Sequence, residues 1–238
     1  MSSSPTSGQD ASARLQQAWR GRGPLACALL PLAALYGAVT ALRRTLYRIG
    51  WLRSTRLPVP VIVVGNLLAG GAGKTPTVMA LVAMLRRHGY TPGIVSRGYG
   101  RSGDAFVDVT PQTPATQAGD EPLLLRLRTG APVVVGRDRA GAGRKLLRLH
   151  PKVDIIVSDD GLQHLALARD AQVLVFDERG AGNGWLLPAG PMREAMPAEV
   201  PPRSVVLYNA ASQTTRLKGT LAQRSLAGAV GLRDWWRG

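Results

Sequence analysis

The sequence predicts an α/β protein with a doubly wound, mostly parallel sheet and an N-terminal membrane-facing helix. Three observations carry this. Short β-branched runs alternate with helical stretches after Pro58; one run ends in a glycine-rich turn; and an apolar stripe bordered by arginines comes before Pro58.

At 238 residues the chain can bury one sizeable core. Apolar residues make up 45% and charged residues 19%, a globular and not a disordered composition. The single cysteine, Cys27, cannot form an internal disulfide, and no Cys/His spacing points to structural zinc. Thirty Lys plus Arg against fifteen Asp plus Glu give a net charge of +15, a field that attracts phosphate on a nucleotide, an anionic lipid or a nucleic acid. No nucleic-acid partner is expected, because aromatics are only 5% and no recognised nucleic-acid module is present. An arginine-rich composition alone could produce the same excess, so where the charges sit says more than their sum.

Residues 1–10 are Ser-rich and polar, without apolar period, and predict a disordered tail. Residues 11–57 predict a basic amphipathic helical segment. Its apolar stretch from Pro24 to Val39 is short for a membrane span, which needs about 20 residues. A secretory signal is disfavoured, since no clear small-x-small cleavage site follows the apolar stretch before Arg43. Leu35, Val39, Leu42, Leu46 and Ile49 recur at steps of four and three along one helical face, with Arg44 and Arg48 on another. Such a helix suits a bilayer interface, where each of the five arginines from Arg43 to Arg56 adds about 1 kcal/mol near an anionic leaflet. The same stripe would equally serve a helix packed on the domain core.

Residues 58–238 form the predicted core. Its strand runs are Val61 to Val64, Gly93 to Ser96, Val133 to Val135, Asp154 to Val157, Val173 to Phe176 and Val205 to Leu207. Their continuous apolarity fits strands covered on both faces. Helices are expected over Thr77 to Arg87 and Glu121 to Arg128, and an inserted loop or hairpin over Tyr99 to Gly119.

In VIVVGNLLAGGAGKTPT an apolar strand leads through a glycine-rich turn into a helix, the context of a phosphate-binding P-loop. Gly70, Gly71, Ala72 and Gly73 would offer backbone N–H groups to phosphate oxygens. Lys74 would reach the β- and γ-phosphates of ATP, and the Thr75 hydroxyl would hold Mg2+. Pro76 suits the helix's first turn. The motif asks for glycine where Leu68 stands. A second signal, DIIVSDDGLQH, puts Asp159 and Asp160 at the C-terminal end of a strand, where ligands of open α/β sheets bind, so one of them can coordinate Mg2+. Spacing does not choose between them, nor does it give Gln163 or His164 a chemical role.

Five ordered motifs then resemble the tetraacyldisaccharide 4'-kinase family, the lipid A 4'-kinases of bacterial envelope synthesis. They are GNLLAGGAGKTP from Gly65, SRGYGR from Ser96, GDEPLLL from Gly119, DDGLQH from Asp159 and GNGWLLPAGPMRE from Gly182. RRTLYRIG from Arg43 looks like the end of the family's membrane-facing helix. The resemblance implies γ-phosphoryl transfer from ATP to the 4'-hydroxyl of an acylated glucosamine disaccharide 1-phosphate, at the cytoplasmic face of the inner membrane. It implies Asp120 as the catalytic aspartate, Asp160 as the Mg2+ ligand with Thr75, and Asp159 beside it. Gln163, His164 and Glu194 match further polar site positions. Members of the family continue past the position of Gly238 into a second lobe that carries a histidine partner for Asp120. The expectation is therefore a chain truncated at its C-terminus, with reduced activity and with Trp235 and Trp236 normally packed on that lobe. A membrane-bound P-loop ATPase switch, with no phosphoryl acceptor, is the alternative from another class.

Overall fold

The continuous apolar runs become the strands of one eight-stranded sheet in a computed structural model that describes residues 15–222. The expected tail at residues 1–10, and Trp235 and Trp236, lie outside the described residues. Helices α1 (Pro24–Ala28) and α2 (Leu30–Arg48) precede β1 (Val61–Gly65), α3 (Lys74–Arg87) and β2 (Pro92–Ser96). Then follow β3 (Val107–Val109), α4 (Ala115–Ala118), α5 (Asp120–Thr129), β4 (Val133–Val135) and α6 (Arg139–Leu149). The remaining strands are β5 (Ile155–Asp159), β6 (Ala171–Asp177), β7 (Ser204–Asn209) and β8 (Thr220–Leu221).

The strand order is β3-β4-β2-β5-β1-β6-β7-β8, parallel except for the antiparallel β3. β1 is central, between β5 and β6, so the turn after it opens where the chain switches from building one side of the sheet to the other. Alternate residues of each strand serve two core layers. Val61 and Val63 join Leu146, Ile156 and Phe176 on one face; Val64 joins Val78, Val82 and Leu125 on the other. A parallel sheet needs this double cover.

Tyr99 to Gly119 is not a separate loop or hairpin. Val107 pairs with Val135 and Val109 with Val133, so the segment supplies the sheet's antiparallel edge. Helix α6 has no counterpart among the expected helices.

The N-terminal helix packs through small and polar residues. Ala33 is buried, a Cβ on Gly37 would stand 2.8 Å from Leu186 Cδ1, and Tyr36 Oη donates to the Arg193 carbonyl at 2.9 Å. Arg44 meets Glu194 at 2.5 Å. Leu35, Val39, Leu42 and Ile49 face away from the body, Leu35 at 61% and Leu42 at 60% exposed, so this stripe does not pack on the core. Leu46 is half-buried. Among the described residues no helix is long and apolar enough to cross a membrane.

Candidate functional site

The turn after β1 is shaped by its own chain and by side chains from neighbouring strands. A Cβ at Gly65 would stand 2.7 Å from Leu162 Cγ, so the strand leaves the sheet where only glycine fits against the DDGLQH loop. The buried Asn66 closes the turn: its Nδ2 donates to the Gly70 carbonyl at 3.0 Å, and its Oδ1 accepts from Lys74 Nζ at 3.2 Å. Gly70 and Gly73 have φ of 91° and 79°, values that side-chain-bearing residues rarely adopt. Gly73 then caps α3, whose first residue is Lys74.

The carbonyl oxygens of the turn are taken up from outside. Asn209, at the end of β7, donates to Ala72 O at 2.9 Å and Gly73 O at 3.3 Å. Arg179, held by both oxygens of Asp177, donates to Gly71 O at 2.7 Å and Ala69 O at 3.3 Å. With its carbonyls engaged in this way, the turn presents its N–H groups, together with the positive end of α3, to an anion. Leu68, where the motif asks for glycine, is buried and bridges to Met192.

The two adjacent aspartates have opposite environments. Asp159, last residue of β5, is 1% exposed; Ser96, at the end of adjacent β2, donates to its Oδ2 at 3.0 Å, and its Oδ1 has no partner among the described residues. Burial pushes its pKa up to about 6, reinforced by the negative charge of Glu121. Asp160 has φ of 45°, a left-handed conformation rare for aspartate, which swings its carboxylate to Lys74 Nζ at 3.4 Å and Arg193 Nη1 at 3.1 Å. Burial would raise the Asp160 pKa, but Lys74 and Arg193 together outweigh it and hold the carboxyl below its ordinary value. Carboxyls driven apart in this way suit different tasks.

Around this pair the structure gathers several of the sequence candidates. Gln163 bridges the two motifs, donating to Asn66 O at 3.3 Å and accepting from Arg193 at 3.3 Å. Glu194 is turned to Arg44 of α2. His164 Nε2 accepts from the Arg139 backbone N–H at 3.4 Å; burial, then the Arg139 charge, lowers its pKa to about 4 and keeps it neutral. Asp120 is exposed at the first position of α5, where the helix dipole favours a carboxylate. Thr75 is half-buried on the first turn of α3.

Sequence reasoning missed Asn66, Ser96, Arg139, Arg179, Arg193 and Asn209. Ser96 and Asn209 stand at strand C-terminal ends, as Asp159 does, and that rule could have found them. Arg193 is adjacent to Glu194 in the quoted motif. Arg139, buried with its Nη2 on the Asp160 carbonyl at 3.1 Å and its Nε unpaired among the described residues, carried no local signal.

Among the described residues no three carboxylate, thiol or imidazole groups converge as a metal cage. Magnesium in nucleotide sites is commonly held by one or two carboxylates, phosphate oxygens and water. Of the residues expected to hold magnesium, Asp159 has an oxygen without a partner among the described residues, Asp160 is paired with Lys74 and Arg193, and Thr75 is half-buried at the start of α3.

The family model for tetraacyldisaccharide-1-P 4'-kinase matches residues 25–230. The tetraacyldisaccharide 4'-kinase of Methylibium petroleiphilum is 58% identical over 227 residues, covering 94% of this chain and 63% of that protein. The enzyme of the same name from Leptothrix cholodnii is 58% identical over 228 residues, covering 95% of this chain and 65% of that protein. A crystal structure described as the "apo" form of LpxK from Aquifex aeolicus in complex with ATP superposes with a TM-score of 0.67 at 36% identity, over 77% of this chain and 58% of that one. The chain therefore spans about two thirds of the length of the two curated relatives. With the matched residues running from α1 to beyond β8, the chain belongs to the tetraacyldisaccharide-1-P 4'-kinase family.

Proposed function

We propose that this chain transfers the γ-phosphoryl group of ATP to the 4'-hydroxyl of an acylated glucosamine disaccharide 1-phosphate, and does so from a membrane surface. The observation that carries the reading is the bonding of α2 to the site. The helix exposes an apolar stripe, yet its Tyr36 and Arg44 bond directly to Arg193 and Glu194, and Arg193 bonds to Asp160. A membrane-bound P-loop ATPase switch would share the exposed stripe, so dependence of phosphoryl transfer on an acceptor is what separates it from the kinase.

In this reading residues 11–57 are the membrane-facing segment and residues 58–238 the kinase core. The N–H groups of Gly70, Gly71, Ala72 and Gly73 hold the phosphates, and Lys74 leaves Asn66 and Asp160 to follow the γ-phosphoryl charge. Thr75 and Asp160, with Asp159 beside them, would hold magnesium, which would supply neutralisation of phosphate charge there. Asp120 accepts the proton of the attacking hydroxyl. Gln163 and Glu194 keep Arg193 and α2 in place, and the neutral His164 fixes the start of α6. Positioning and charge neutralisation account for most of such a reaction, so the turn and the metal contribute more than the base. In this reading the protein works at the cytoplasmic face of the inner membrane, either peripherally or anchored by its N-terminal segment, where ATP is available and the exposed stripe can meet lipid.

Transfer of labelled γ-phosphate to the acylated disaccharide 1-phosphate tests the reading. Transfer should require the acceptor, and Lys74→Ala should lower it by at least about a hundredfold, the scale of one lost transition-state charge contact. Equal ATP hydrolysis with and without acceptor would instead favour the ATPase switch.

A further inference from the structure

The phosphate turn departs from its motif at Leu68, which is 1% exposed and bridged to Met192, so the start of the turn is committed to core packing. The Ala69 N–H is committed as well, donating to the Pro191 carbonyl at 2.7 Å. The donors left to meet an anion therefore begin at Gly70. Their direction is set by the peptide planes that carry them. In a trans peptide the carbonyl of one residue and the N–H of the next point to opposite sides of the chain, so a held carbonyl aims the following donor.

Every carbonyl from Ala69 to Gly73 is held by a side chain. Arg179 takes alternate planes: its Nη1 donates to Ala69 O at 3.3 Å and its Nη2 to Gly71 O at 2.7 Å, which aims the N–H groups of Gly70 and Ala72. Asn66 takes Gly70 O at 3.0 Å and so aims the Gly71 N–H. Asn209 takes Ala72 O at 2.9 Å and Gly73 O at 3.3 Å, aiming the N–H groups of Gly73 and Lys74. Of these three residues only Arg179 is exposed, its side chain lying outside the core at 47%. Its direction comes from Asp177, whose oxygens accept from its Nε at 3.1 and 3.0 Å and from its Nη2 at 2.8 Å. Asp177 is fixed in turn, because its Oδ1 also accepts from the Arg179 backbone N–H at 3.0 Å and its carbonyl accepts from Thr214 Oγ1 at 2.9 Å. A guanidinium matched to a carboxylate in this way contributes geometry more than free charge.

The geometry points to Arg179 as a positioning residue for the phosphates of ATP: oriented by Asp177, it pins the carbonyls of Ala69 and Gly71 and holds the donors of Gly70 and Ala72 aimed before the nucleotide arrives. This rests on the kinase reading above, which supplies ATP as the anion, and deepens it. A turn already ordered spends less of the binding energy on ordering itself. Glycines at 70, 71 and 73 would otherwise leave the turn free to rotate its carbonyls toward the phosphates.

The test is the affinity for ATP with Mg2+, measured by calorimetry without acceptor at low and at high salt, followed by KM for each substrate in the transfer assay. Arg179→Ala should weaken ATP binding by at least about tenfold, the scale of one hydrogen bond from a charged donor. The ratio to wild type should be the same at both salt concentrations, and KM for the acceptor at saturating ATP should not change. Arg179→Lys, which keeps a donor, should recover part of the loss. Asp177→Asn gives the opposite sign for the two ways Arg179 could act. It should weaken ATP binding if the arginine positions the turn, whereas an arginine that attracts phosphate by its charge is freed by this change, and ATP then binds more tightly. Tighter binding in Asp177→Asn overturns the proposal, and so does a ratio that vanishes at high salt. Wild-type ATP affinity in Arg179→Ala, with any loss confined to kcat, also overturns it and leaves the kinase reading standing. Should Arg179→Ala fail to fold, Arg179→Lys and Asp177→Asn decide the same question. A wild type that binds no ATP would bring down both the clamp and the kinase reading.

Discussion

His164 shows how a residue's neighbours decide what it does. Its lowered pKa keeps it neutral in the fold, with the ring accepting from the Arg139 N–H, whereas in the unfolded chain it titrates near 6.5. A group whose folded pKa is depressed contributes stability that is fully present above 6.5 and is lost as pH falls toward about 4. Asp159 works the other way, because its raised pKa favours the folded state as pH falls from about 6 toward 3.8. The difference between a variant and the wild type therefore isolates the histidine. His164→Gln, which keeps an acceptor but cannot take up a proton, should lose less thermal stability than the wild type between pH 7 and pH 4.5, read by unfolding scans across that range. An identical pH dependence would show that the ring is charged or solvated in the fold. The split between Asp159 and Asp160 was likewise out of reach of the sequence. Ser96, Lys74 and Arg193 decide it, and these arrive from β2, α3 and the loop at Met192, none of them local to DDGLQH.

At the scale of elements, the strand–turn–helix at β1 was legible because its determinants are contiguous: an apolar run, glycines at positive φ and a helix opening on Lys74. Helix α6 was not. Its RAGAGRKLLRL carries glycines that cost a helix about 1 kcal/mol each in propensity and break the apolar period. Those glycines are there for packing, since Gly141 lies against Phe106 and Gly143 against Leu57, where a Cβ would collide. Strand β3 escaped notice because three residues give too short a pattern and only its pairing with β4 makes it a strand. A testable consequence lies at the start of α5. Gly119 has φ of 87°, and a Cβ there would stand 2.8 Å from the Tyr99 carbonyl oxygen, so Gly119→Ala meets both backbone strain and a backbone clash. It should destabilise the fold by about 1–3 kcal/mol in denaturant unfolding and lower phosphoryl transfer beyond any unfolded fraction, because it displaces Asp120. Wild-type stability would mean that the turn re-forms without its glycine.

For the molecule as a whole, the N-terminal helix is where reading and structure complement each other. The stripe of Leu35, Val39, Leu42, Leu46 and Ile49 was visible in the sequence, but its direction was not, because a period of 3.6 is the same whether a helix faces a core or a bilayer. The opposite face is the one that packs on the body, through Ala33, Tyr36, Gly37 and Arg44, residues too small or too polar to register as a core-facing pattern. Since Leu35 and Leu42 are mostly exposed, replacing both with glutamate should leave the unfolding temperature within about 2 °C and should release the protein from vesicles containing phosphatidylglycerol. Unchanged sedimentation with those vesicles would refute a membrane role for this face. The hydrogen bond from Tyr36 to the carbonyl of Arg193 has a consequence of its own. It links the apolar stripe to the Asp160 edge, so in the kinase reading the reacting centre would stand at a set height above a lipid surface met by the helix. Such a gauge would read how far an acceptor hydroxyl projects from the surface and leave the length of the tails beneath unread, so discrimination among acceptors of different chain length would have to come from some other part of the machinery.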